Sequence, residues 1–213
     1  MPVNNKTKKL FIHIPKCAGT SIAKSMGMYG DPIKLDKDVL YGIDKNNIVL
    51  QSLPLEYYLN YIPEKNILEY LKFTIVRIPY DRVVSDYSWK NRNCKNLYDF
   101  LILIKKYLNM YKKQDLIKYN KNISHNHFLP QYEYIKSDKF KMDHILKFEN
   151  LQKDFNDKID KNIILKKTNT SKHNNWETYF SKDPRCIQLV NEIYSIDFEK
   201  FKYKKLVFSN NSN

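Results

Sequence analysis

An apolar run that stops at a proline and turns through two small residues into two hydroxyls constrains this chain most: Leu10-Phe11-Ile12-His13-Ile14-Pro15-Lys16-Cys17-Ala18-Gly19-Thr20-Ser21. The pattern predicts a buried strand over 9–14 and a helix over 20–28, joined by a turn at Ala18 and Gly19. A helix beginning there leaves its first backbone N–H groups unpaired and aimed at whatever occupies the turn, and its dipole favours an anion. Lys16 adds a mobile point charge, while Thr20 and Ser21 can cap the helix or donate to an oxyanion. Phosphate or sulfate suits such a turn. The same residues would also serve an ordinary strand, turn and helix with a capping threonine. A Walker A loop is excluded, because the lysine precedes the glycine and no Gly-Lys-Ser/Thr ending exists.

A second stretch of the same kind follows, Phe73-Thr74-Ile75-Val76-Arg77-Ile78-Pro79-Tyr80-Asp81-Arg82-Val83-Val84-Ser85-Asp86-Tyr87. Its β-branched and aromatic start predicts a parallel strand over 71–77, with Arg77 at the carboxyl end and Pro79 opening a helix over 79–92. Ser85 then falls about two turns into that helix, so Arg77 and Ser85 can converge on one phosphate, the arginine through its planar fork. An arginine after a strand also commonly pairs with a surface carboxylate. Two strand ends with anion-binding chemistry nevertheless fit open α/β sheets, which bind ligands at the carboxyl ends of their strands.

The remaining pattern continues the alternation. A short strand at 47–51, helices at 54–61 and 97–111, strands at 143–148 and 162–166, and helices at 150–157 and 183–195 complete a doubly wound parallel sheet in three αβα layers, a single α/β domain over 1–213. Its core spans about 9–204, with frayed polar ends at 1–8 and 209–213. No internal repeat interrupts it, and no run of apolar residues is long enough to cross a bilayer. The polar segment Met1 to Lys9 is no signal peptide, so the expected protein is soluble, cytoplasmic or host-cytoplasmic. Cys17, Cys94 and Cys186 are too scattered for a disulfide framework or a metal site. Cys17, beside Lys16 at a helix start, could have a lowered pKa, against the simpler reading of a small residue filling a tight turn.

The formal net charge is +14. Between Ser88 and His127, nine Lys or Arg stand against Asp99 and Asp115, a balance of +7. Such a surface attracts polyanions, and a solvated helix face carries the same residues. The apolar stripe Leu97, Phe100, Leu101, Ile104 and Leu108 predicts that Lys105 and Lys106 face outward.

The two strand-end motifs resemble those of the PAPS-dependent sulfotransferases of the carbohydrate (Golgi-type, heparan- and chondroitin-like) branch. His13 to Ser21 is similar to that family's loop for the 5′-phosphosulfate, and Val76 to Tyr87 is similar to its 3′-phosphate site. His127-Phe128-Leu129-Pro130-Gln131, Asp143 to Leu151 with Asp154-Phe155, and the stretch from Asn169-Thr170-Ser171 to Tyr203 follow in the family's order. The resemblance implies transfer of a sulfuryl group from PAPS to a carbohydrate hydroxyl, releasing PAP, without a metal. It assigns Lys16, Cys17, Ala18, Gly19, Thr20 and Ser21 to the 5′ end of the donor. Arg77 and Ser85 go to the 3′-phosphate, with Asn169, Thr170 and Ser171 touching the nucleotide.

Many relatives carry a histidine before the second strand, where this chain reads Val49-Leu50-Gln51-Ser52-Leu53-Pro54-Leu55-Glu56. The proton-accepting role then falls to Glu56, His125 or His127, with His127 favoured because imidazole titrates near neutral pH. Otherwise the chain is a weak or non-catalytic PAPS binder. His13 reads as a hydrogen-bonded core residue and Glu149 as structural. The expected acceptor is a hydroxylated, possibly acidic glycan lying along 88–127. A nucleotide kinase would need a P-loop and acidic magnesium ligands, and a nucleic-acid-binding protein would leave the paired Lys16 and Arg77 motifs unexplained.

Overall fold

Parallel strands are held together by the run 71–76, in which every side chain from Lys72 to Val76 is buried. The computed structural model of the chain describes residues 2–89, 94–118, 125–166 and 175–207. In chain order it contains β1 (Val3–Asn4), β2 (Lys9–Ile12), α1 (Gly19–Ser25), α2 (Glu64–Glu69), β3 (Leu71–Val76), α3 (Pro79–Tyr87), α4 (Leu97–Met110), α5 (Lys113–Ile117), α6 (Tyr132–Ile135), β4 (His144–Lys147), α7 (Leu151–Lys158), α8 (Trp176–Lys182), α9 (Arg185–Ile193) and α10 (Ser195–Phe201). Short 3-10 turns cover Leu50–Ser52, Leu55–Asn60, His125–Phe128 and Phe148–Asn150.

The sheet runs β1-β2-β3-β4. β2, β3 and β4 are parallel, with Phe11 opposite Phe73 and Phe73 opposite His144, whereas β1 is antiparallel to β2. This is an α/β fold with a mixed sheet. Strand order follows chain order among the described residues, so the reversal of a doubly wound sheet is not formed. Two expected strands are missing for a local reason. At 47–51, the backbone is caught in a tight turn, with Ile48 N–H on Asp44 Oδ1 at 2.8 Å and Leu50 N–H on the Gly42 carbonyl at 2.9 Å. At 162–166, side-chain amides replace a strand neighbour: Gln152 accepts from Leu165 N–H at 2.9 Å, and Asn156 donates to the Ile163 carbonyl at 2.9 Å. The amino-terminal segment is ordered instead of frayed, because Val3 and Asn4 pair with β2.

Lys72 survives in the central strand because its ammonium meets Asp143 at 3.1 Å and donates to the Tyr70 carbonyl at 2.8 Å. Two apolar clusters result. One wraps the sheet, with Phe11, Phe73 and Phe155 ring to ring. The other joins α3, α4 and α8 to α10 through Tyr80, Phe100, Phe128, Phe180 and Phe198. The carboxyl ends of β2 and β3 lie beside α3, which belongs to the second cluster, and both sequence motifs meet there.

Candidate active site

The first turn is built from unusual backbone. Lys16 and Ala18 have φ of 68° and 60°, the left-handed region that side chains enter at a cost, and Ala18 is the residue before α1. Ala18 offers α1 no side-chain cap, and no acidic residue lies in its first turn. Gly19 is required by its neighbour: a Cβ there would sit 1.8 Å from the His13 ring. His13 stacks on Phe11, and its Nδ1 is buried without a hydrogen-bond partner. Burial lowers its pKa to about 3, against the opposing pull of a backbone hydrogen bond with Gln51, so the ring is a neutral, hydrogen-bonded packing element. Cys17 also turns inward. Its N–H donates to the Ile14 carbonyl and its thiol to Gln131 Oε1 at 3.4 Å, and burial pushes its pKa up to about 12. A thiol held this way is not activated, and both its donors are used inside the protein. That corrects the expectation of Cys17 as a ligand contact.

The second turn is saturated by side chains. Gln131, fully buried, accepts from Arg77 N–H at 2.9 Å and donates to the Arg77 carbonyl at 2.8 Å, extending β3 by one rung with a side-chain amide. Asp197 on α10 holds that amide and the backbone N–H groups of Gln131 and Tyr132, and burial raises its pKa to about 6. Glu149 accepts from Ile78 N–H at 2.8 Å and from the Tyr203 hydroxyl at 3.0 Å, which fixes the entry to α3 and bears out its structural reading. Arg82 donates to the carbonyls of Pro15, His127 and Leu129, stitching the first turn to 127–129.

Arg77 links the two turns. Its Nε meets Asp81 at 2.7 Å, its Nη1 donates to the Lys16 carbonyl at 3.0 Å, and its guanidinium lies over Phe148. Beyond it, Lys16 Nζ lies 5.0 Å from the centre of the Trp89 ring, and that ring stacks on His127 at 4.8 Å. His127 Nδ1 stands 2.6 Å from Asp86 Oδ1, with the two side chains only 12% and 5% exposed. A lysine, an indole, an imidazole and a carboxylate are thus contiguous at the strand ends, beside the buried Ser85.

A model of the sulfotransferase family matches residues 1–204. The chain belongs to the sulfotransferase family. Comparison with the curated proteins and with the solved structures gave no match. Family membership makes sulfuryl transfer, a transferase reaction, the general chemistry of this site, with a hydroxyl-bearing acceptor.

Within that family frame, the structure sorts the other candidates. Ala18, Gly19, Thr20 and Ser21 stay together at the start of α1, next to Lys16. Glu56 lies on the 3-10 turn Leu55–Asn60, where it pairs with Lys113, which also meets Glu133. His125 packs among Tyr107, Tyr111 and Phe128. Asn169, Thr170 and Ser171 lie outside the described residues. Part of the basic surface is paired at the surface: Lys105 and Lys106 face outward as expected, Lys105 meeting the exposed Glu192 at 2.7 Å, and Lys118 meets Asp115. Among the described residues no helix is long and apolar enough to cross a membrane, and no cluster of His, Cys, Asp or Glu could hold a metal. Sequence reasoning missed Asp86, Trp89 and the bracing role of Gln131. Only the His-x-x-x-Gln spacing of 127–131 pointed there.

Proposed function

We propose that the chain transfers a sulfuryl group from PAPS to a hydroxyl of a carbohydrate. The observation that carries this reading is the single Trp89 ring that serves both the Lys16 ammonium and the Asp86-bound His127. The residues present suit the donor. Lys16 and the backbone of Gly19, Thr20 and Ser21 would hold its 5′ end, in a turn whose first helical residues carry no competing carboxylate. Arg77 spends Nε and Nη1 inside the protein, so its contact with the 3′-phosphate falls to Nη2, together with Ser85.

PAPS supplies the sulfuryl group: the acceptor oxygen to sulfur bond forms as the sulfur to bridging oxygen bond breaks, and the electron pair stays on the phosphate of PAP. Lys16 meets the charge growing on that oxygen. His127 takes the proton of the attacking hydroxyl as general base. The remaining basic residues of 88–118, Lys106 and Lys112 among them, suit an acidic glycan whose approach weakens with salt. A direct test incubates the chain with labelled PAPS and a panel of sulfated and unsulfated oligosaccharides. Label transferred to a sugar hydroxyl, with PAP stabilising the protein against heat where ATP does not, is the expected result. PAPS left intact and no stabilisation by PAP would reject it.

A further inference from the structure

The pair formed by Asp86 and His127 carries an inference that rests on the sulfuryl-transfer reading and extends it. The two residues are distant in sequence and close in space; Asp86 lies in the last turn of α3 and Trp89 in the turn that follows it, its N–H on the Asp86 carbonyl at 3.1 Å, so the end of this helix brings a carboxylate and an indole to the same imidazole. An ionised carboxylate only accepts, so a ring nitrogen 2.6 Å away carries the hydrogen, and the neutral imidazole keeps its lone pair on Nε2. We propose that Asp86 is the positioning residue of the proton-accepting histidine, fixing the Nδ1–H tautomer of His127 while the Trp89 ring stacks on the imidazole and also meets the lysine assigned to the leaving oxygen.

In the transfer step the proton of the acceptor hydroxyl moves to Nε2 and Nδ1 keeps its own, so Asp86 stays ionised and faces an imidazolium. The charges around the ring make that carboxylate matter. From the first turn, Lys16 lies over the Trp89 ring that stacks on the imidazole, a cation one ring away that opposes a second positive charge. From α3, Arg82 does the same through its bond to the His127 carbonyl, 2.8 Å long. His13 is neutral, and Tyr134 on α6 is held protonated by burial. Asp86 is the carboxylate in contact with the imidazole, and it offsets two cations.

The test uses the full chain labelled with nitrogen-15 histidine. The ring spectrum of wild type should show His127 as the Nδ1–H tautomer, and Asp86→Asn should lose that preference. Turnover of PAPS by Asp86→Asn should fall roughly a hundredfold or more. Its affinity for PAP should change less than about threefold, and the acid limb of its pH profile should move about one unit lower, because the imidazolium has lost its partner. Asp86→Glu should recover part of the turnover. Wild type showing the Nε2–H tautomer, or Asp86→Asn keeping wild-type turnover and pH profile, overturns the proposal. If wild type neither binds PAP nor consumes PAPS, the sulfuryl-transfer reading fails instead, and the tautomer measurement still decides whether Asp86 orients His127.

Discussion

The turn after β2 and the turn after β3 come from similar sequence and do opposite things with their polar groups. The first keeps Lys16 and Ala18 in left-handed backbone and gives α1 no side-chain cap from Ala18. The second has its Arg77 backbone paired by Gln131 and its Ile78 N–H taken by Glu149. Strain is tolerable in the first because Arg77 and Arg82 reach across from the second, and Gln131 from the start of α6, to hold it. A binding turn needs a neighbour that has already satisfied itself.

The comparison breaks most visibly at Lys16. Lys16→Ala should cut turnover roughly 10²- to 10³-fold while PAP affinity changes less than about tenfold, since the lost interaction belongs to the transition state. Unchanged turnover at saturating PAPS would make the lysine a packing residue. Next comes the brace: Gln131→Ala orphans the Arg77 backbone and should lower stability by on the order of 3 kcal/mol, read from denaturant unfolding. A loss under about 0.5 kcal/mol would mean that the second turn holds itself. Arg77→Ala should weaken PAP by about 1.5–3 kcal/mol, and adenosine 5′-phosphosulfate, which lacks the 3′-phosphate, by less. Equal losses in calorimetry would confine Arg77 to bracing the Lys16 carbonyl.

The smallest expected effect separates the turns by pH. His13, in the first turn, has its pKa held near 3, below the value of about 6.5 for an unfolded chain, so its contribution is present above 6.5 and drains away as pH falls. Asp197, under the second, is raised to about 6, so its contribution is present at low pH and is lost as pH rises through 6. Melting temperatures between pH 4 and 7.5 should therefore show His13→Phe flattening the acid loss. A variant whose melting curve tracks wild type throughout would show that His13 does not sense pH.

What could be read locally was read well: the strand, small-residue turn and helix around Lys16, and β3 leading into α3 through Pro79. The failures share a cause. Ile48-Val49-Leu50 and Ile163-Ile164-Leu165 have the composition of strands, yet their backbone partners come from nearby side chains and turns, which composition does not encode. The roles of Asp86 and Gln131 depend on contacts across long sequence separations. Cys17 shows a third limit, since the same tight turn can aim a thiol at a ligand or into the core, and only packing decides.

The hydrogen bond from Arg77 to the Lys16 carbonyl places the two ends of the proposed donor in series along one hydrogen-bonded path. An anion drawing on the guanidinium pulls on a peptide whose φ of 68° leaves it few other resting positions. On the proposed reading, occupancy at the far end of a nucleotide would be felt at the lysine some way off, like tension passed along a tether.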